Sequence, residues 1–236
     1  MTPRHDPMGA AIADYHKYGR ADRLRVFSPD FDEDEMPLDT LFRPFDDMPP
    51  LEQTALDHCH GRVLDIGAGA GCHSLVLQER AIDVTAIDIS PLSVKTMQAR
   101  GVRRAIEQDF WTMTGHFDTL LMLMNGIGIV GTIGRLPHFF TQVKTLLAPG
   151  GSLIIDSTDI RYLFEDEDGH IDLPTDHYYG ELTYRMQYRQ VKGHSFPWLY
   201  VDFDTLSTAA HAAGFSVTLL AQGDHFDYLA KLNVAE

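Results

Sequence analysis

The chain has 236 residues, of which 44% are hydrophobic, and a net charge of −15 from 34 acidic residues against 19 lysines and arginines. That length admits one large α/β domain with a substantial core, while the charge opposes a nucleic-acid surface and leaves room only for a local basic patch. Cys59 and Cys72 are too few for a disulfide framework and Met1 to Ala10 do not resemble a signal peptide, so a reducing cytoplasm is the expected location.

Residues 1 to 60 form a leader ahead of the first core strand. Helices are predicted over Pro7 to Tyr18 and over Pro50 to His60, where Glu52, Ala55, Leu56 and Cys59 recur at helical spacing behind a proline start. Between them, the acidic run Asp30 to Glu35 reads as a solvated loop, and Leu41-Phe42-Arg43-Pro44-Phe45 has no clear period. His58, Cys59 and His60 are metal-ligand types, but ligands two apart on a helix point to different faces and no second cluster follows. No metal is expected.

Arg62 to Ile66 reads as a buried strand running into a turn at Gly67, Gly69 and Gly71, then a helix over Cys72 to Arg80. This is the strand–turn–helix context that a nucleotide-type ligand requires. The dinucleotide pattern would need glycine where Cys72 stands; the spacing is instead D-x-G-x-G-x-G, from Asp65 to Gly71. His73, in the first helical turn, reads as a helix-surface residue. A second strand over Val84 to Ser90 carries Asp88, about 20 residues past the turn, where an acid can accept hydrogen bonds from ribose hydroxyls. Ser90 and Pro91 start the next helix and Gly101 stops it.

A third strand over Val102 to Ile106 ends near Asp109 and Phe110. The fourth, Phe117 to Asn125, is apolar along most of its length, as a strand covered on both faces should be, and is followed by Gly126-Ile127-Gly128. The apolar run Thr119 to Ile133 is broken by three glycines and falls short of the ~20 residues of a membrane helix. Leu136, Phe139, Phe140, Val143, Leu146 and Leu147 mark one helix face that stops at Pro149-Gly150-Gly151, ahead of a fifth strand over Ser152 to Asp156. Glu165 to Asp168 reads as a solvated loop, because the calcium-loop register would put Phe164 where a carboxylate is needed. Gly180 to Val191 alternates as a strand, Phe203 to Ala213 forms a helix closed by Gly214, and Phe215 to Leu220 with Phe226 to Leu232 make a last strand or bent hairpin.

The ordered series from Asp65 through Asp88, Asp109-Phe110 and Asn125 to Asp156 resembles the class I S-adenosylmethionine (SAM) dependent methyltransferases. The resemblance implies a Rossmann-like, doubly wound α/β sheet of seven mostly parallel strands, with an antiparallel C-terminal strand and helices on both faces. It divides the chain into a helical lid over 1–60 and a methyltransferase domain over 61–236, with an insertion near 160–180. SAM is the implied cofactor, held by Asp65, Gly67, Ala68, Gly69 and Gly71 at the turn and by Asp88 and Ile89 at the ribose. Asp109 would bond the adenine amino group, Phe110 would stack on the ring, and Met124 and Asn125 would flank the transfer site. From the lid come Tyr15, Phe42 and Arg43, whose guanidinium suits the cofactor's carboxylate. Asn125 is followed by glycine, a departure from the Asn-Pro-Pro-Tyr of nucleobase and glutamine amine methyltransferases.

Parallel sheets bind ligands at the carboxyl ends of their strands, so these residues are expected to share one crevice. Asn125, Asp159, Tyr178 and Tyr179 are the candidates for substrate contact, and no catalytic base is assigned. The implied reaction is in-line displacement at the sulfonium methyl, for which the protein supplies alignment and desolvation. Three functions follow: a small-molecule methyltransferase, a protein or RNA methyltransferase, or a nucleotide-binding module, for SAM or a nicotinamide, without methyl transfer. The acid-rich strand ends suit a cationic or amine acceptor.

Overall fold

From the N-terminus the chain forms α1 (Pro7–Tyr18), β1 (Leu24–Phe27), β2 (Asp34–Met36), α2 (Pro50–Asp57), β3 (Arg62–Ile66), α3 (Cys72–Glu79), β4 (Asp83–Asp88), α4 (Pro91–Arg100), β5 (Ala105–Glu107) and β6 (Phe117–Met122). It continues with α5 (Leu136–Leu146), β7 (Leu147–Thr158), β8 (Glu181–Tyr188), β9 (Val191–Lys192), β10 (Phe196–Leu199), α6 (Phe203–Ala212), β11 (Phe215–Gln222) and β12 (Asp227–Val234). The computed structural model describes residues 2–166 and 168–235.

Seven strands make the main sheet, in the order β11-β12-β7-β6-β3-β4-β5. β4, β3, β6 and β7 run parallel with β5, whereas β12 is antiparallel to both β7 and β11. Successive side chains alternate between the two helical layers, which is why these strands are apolar throughout. Leu64, Leu120, Leu153 and Ile155 pack with Phe139, Phe140 and Val143 of α5. Val63, Leu121 and Ile154 face the other way, with Leu56 of α2 and Leu77 of α3. The strand order reverses between β3 and its neighbours β4 and β6, which opens a crevice at their carboxyl ends.

A second, antiparallel sheet has the order β10-β8-β1-β2, with β9 paired to β8. Its existence adds strands to a leader expected to hold two helices joined by loop, because β1 of that leader pairs with β8 from beyond residue 180. The acidic run is likewise more than a loop. Asp34 and Glu35 lie in β2, with Glu35 and Glu33 paired to Arg23 and Arg25 across the hairpin. Two boundaries also move. β5 begins at Ala105, since Val102 turns inward beneath Gly71, and β7 begins at Leu147, directly after α5.

One face of this second sheet looks into the crevice. Directly paired residues share a face, and the pairs Leu24–Met36 and Leu24–Tyr188 pack in one cluster with Ala70 of the glycine turn and Met124 at the end of β6. The second sheet is therefore a cap over the carboxyl ends of the first.

Candidate active site

The glycine turn is held open by its neighbouring strand. Gly67 and Ala68 donate their N–H groups to the Ile87 carbonyl at 2.9 and 3.0 Å. Gly67 and Gly69 adopt φ of 72° and 56°, in the left-handed region, where a Cβ is disfavoured. No atom stands within 4 Å of where a Cβ on Gly67 would lie. The backbone at that position faces open space, a cradle of the kind a nucleotide-type ligand fills.

Asp88 ties this turn to the end of β4. Its carboxylate accepts from the Gly69 N–H at 2.9 Å and the Ser90 N–H at 2.8 Å, one bond to each oxygen. Two bonds fix the group's orientation and leave lone pairs for two hydroxyl donors. Burial pushes its pKa up to about 6, against the lowering effect of both N–H donors. Beside it Ile89 is 47% exposed, an apolar surface at the same edge. Gln108 donates its N–H to the Asp88 carbonyl at 3.0 Å, so Asp109 reaches the same side, where it accepts from Trp111 N–H at 2.9 Å.

Two expected contacts, Asp65 and Phe110, and one residue read as surface, His73, are placed differently. Asp65 is enclosed beneath the turn, where Ser74 donates to it at 2.6 Å; it anchors α3 and presents no open surface. Phe110 is only 4% exposed and packs against Phe139 at 5.6 Å, so its ring is core and offers no stacking face. His73, read as a surface residue, is buried and bonds Glu52 at 2.9 Å through Nε2. The other Glu52 oxygen takes the Arg43 guanidinium, whose Nε is buried without a partner. Burial alone would lower the His73 pKa, but the neighbouring Cys72, the bond to Glu52 and the nearby Asp65 carboxylate outweigh it and raise it above that of a free imidazole.

The leader closes on the site through ties that its sequence did not disclose. Ser90 donates to the fully buried Asp6 at 2.6 Å, and Asp6 also caps α1 through Gly9 N–H. Arg100 donates to the Ala70 carbonyl at 2.6 Å and lies over the Phe42 ring, which in turn packs on Tyr15 at 4.6 Å. Arg100 and Glu52 were missed as site residues because Arg100 lies in an otherwise ordinary helix and the spacing of Glu52 marks only a helix face.

On the opposite side of the crevice, Met124 and Asn125 take left-handed φ of 60° and 58°, a conformation that costs of order 1–3 kcal/mol for a residue with a Cβ. Asp156 at the end of β7 holds them there, accepting from their N–H groups at 2.9 and 2.8 Å. Burial raises the Asp156 pKa to about 7. The Asn125 amide is engaged within the protein, accepting from Ser157 at 3.0 Å and donating to the Leu199 carbonyl at 3.2 Å. It joins β7 to β10, with one donor and one acceptor of the amide committed to the protein.

The remaining substrate candidates are brought together and hydrogen-bonded within the protein. Tyr178 donates to Asp202 at 2.6 Å and Tyr179 to Asp159 at 2.7 Å, with Arg161 beside Asp159. Trp198, by contrast, lies against the glycine loop: a Cβ on Gly128 would fall 1.9 Å from its ring. Only glycine lets β10 approach that loop.

A cradle at a strand–helix turn, an acid closing the next strand and a seven-stranded sheet with an antiparallel hairpin define a class I methyltransferase fold. A family model described as a methyltransferase domain matches residues 20–220. A SAM-dependent methyltransferase from Bacteroides fragilis, solved with S-adenosyl-L-homocysteine (SAH), is 52% identical, covers 100% of this chain and 98% of its own, and superposes with a TM-score of 0.94. The chain belongs to the SAM-dependent methyltransferase family. Over 102 residues it is also 30% identical to a cypemycin N-terminal methyltransferase from Streptomyces, a match spanning 41% of this chain and 42% of that relative. The sugar N-methyltransferase KedS8 from Streptoalloteichus, at 17% identity, 76% and 84% coverage and a TM-score of 0.54, shares the fold.

Proposed function

We propose that this chain transfers the methyl group of SAM to a small-molecule acceptor bound between the glycine-turn crevice and the second sheet. The observation that carries this reading is Asp88, whose carboxylate is aimed by two backbone donors and keeps lone pairs for the ribose hydroxyls. The residues fit the cofactor: Gly67 and Gly69 leave room for its backbone approach, Ile89 supplies an apolar face for adenine, and Asp109 lies at the same edge. Arg43, with its buried unpartnered Nε, suits the carboxylate. When bound, SAM supplies an electrophilic methyl on a sulfonium leaving group.

The protein's own part is alignment and exclusion of water. Asp156 fixes the backbone of Met124 and Asn125 at the transfer site, and the ties of Asp6 to Ser90, Glu52 to His73 and Phe42 to Arg100 hold the leader over the cofactor side. A roofed crevice suits a compact acceptor, and a net charge of −15 opposes RNA. Calorimetric titration with SAH and with NAD, followed by labelled-methyl transfer into cell extract, tests this reading. SAH binding without NAD binding, with label in the dialysable fraction, is expected; label confined to protein or RNA overturns the small acceptor.

A further inference from the structure

The inner face of the second sheet continues past the cluster that covers the cofactor side. Along β8, Tyr184 lies two residues from Met186 and so on the same face, and its cross-strand partner is Phe196 of β10. Trp198 follows Phe196 on that face, paired with Leu182. Tyr200 comes next along the chain. The rings form one wall, with Tyr184 6.4 Å from Phe196 and 6.5 Å from Tyr200, and Phe196 6.0 Å from Trp198. One end of the wall, Trp198, touches the Gly128 loop beside the transfer site.

At the other end, on the edge strand, Asp34 pairs with Val26, two residues from the inward-facing Met36. Asp34 is exposed and makes no ion pair among the described residues, although the neighbouring Glu33 and Glu35 both do. Its charge reaches the Tyr184 and Tyr200 phenols, adding to the upward push of burial on both. Those phenols bond only each other among the described residues, at 3.4 Å, and the Trp198 indole N–H has no partner there. An aromatic wall ending in an unpaired carboxylate is a site for a cation on an apolar body.

We propose that the acceptor is an elongated amine whose cationic nitrogen is held by Asp34 and whose body lies along Tyr184, Phe196, Trp198 and Tyr200. β2 and β10 are three strand spacings apart, roughly 14 Å, so the nitrogen at Asp34 is not the atom that is methylated. A protonated amine also has no lone pair to attack with. Asp34 is thus a specificity-determining residue, and the reacting atom lies at the Trp198 end. This inference rests on the methyltransferase reading above and deepens it.

The test uses the full chain loaded with SAH and three probes of one shape: tyramine, 4-ethylphenol and 3-(4-hydroxyphenyl)propionate, titrated by ligand-observed NMR. Tyramine is expected to bind at least fivefold tighter than the neutral phenol, and the acid weakest. Asp34→Asn should erase the preference for tyramine while leaving the SAH dissociation constant unchanged. Equal or absent binding of tyramine, or a preference that survives in Asp34→Asn, overturns the inference. Failure of SAH itself to bind would instead strike the methyltransferase reading, so the two failures are distinguishable.

Discussion

The two sheets are built on different physics. In the main sheet, Leu64, Leu120, Leu153, Ile154 and Ile155 are fully buried, and the central strands β3, β6 and β7 are covered by helices on both faces. The second sheet has one aromatic inner face and an outer face trimmed with exposed ion pairs such as Arg25–Glu33. Stability thus resides in the first sheet, while the second is free to carry selectivity. Where they meet, Leu24, Met36 and Tyr188 pack on Ala70 and Met124, and the buried link Arg43–Glu52–His73 ties the leader to α3 along the same seam.

If that division holds, the largest effect should come from breaking a buried link at the seam. Glu52→Ala leaves Arg43 and His73 facing each other without their shared carboxylate. Removing one partner from a buried ion pair costs about 3–5 kcal/mol, measured as a shift in the denaturant midpoint at constant slope. A loss below about 1 kcal/mol would mean the seam behaves as surface.

A second effect concerns pH. Burial raises the Asp88 pKa from 3.8 to about 6, so between those values the native state holds a proton that the unfolded chain has lost. The free protein's stability therefore falls as pH rises through that window. Cofactor affinity runs the other way, because ribose hydroxyls donate to the ionised carboxylate. One pH unit below the raised pKa, SAH should bind roughly tenfold more weakly than at neutral pH. Asp88→Asn should flatten the profile; an unchanged slope would assign the titration to another group.

The smallest effect belongs to the outer face of the second sheet. Arg25→Ala removes an exposed pair with Glu33 and should change stability by no more than about 1 kcal/mol. A larger loss would show that the second sheet depends on its charged rim.

This contrast also explains what could be read in the sequence. β3, β4, β6 and β7 announce themselves because a strand buried on both faces is an apolar run, and the glycine turn with Asp88 is local in sequence. The second sheet joins Leu24–Phe27 to Glu181–Tyr188, segments far apart with mixed polarity, so neither half signals the other. The same distance hid the roles of Glu52, Arg100 and Asp156, whose partners are visible only once the chain is folded. The internal partners of Asn125, Tyr178 and Tyr179, which are Ser157, Asp202 and Asp159, were likewise invisible in the sequence because each lies at least 20 residues away.

Calorimetric titration of SAH into the wild-type chain and Asp88→Ala tests the central claim most directly. Losing the paired hydroxyl acceptors should cost about 1–3 kcal/mol, a roughly 5- to 150-fold weaker dissociation constant, with one site per chain retained. An identical dissociation constant in the two proteins would show that the crevice at Gly67 to Asp88 does not hold the cofactor.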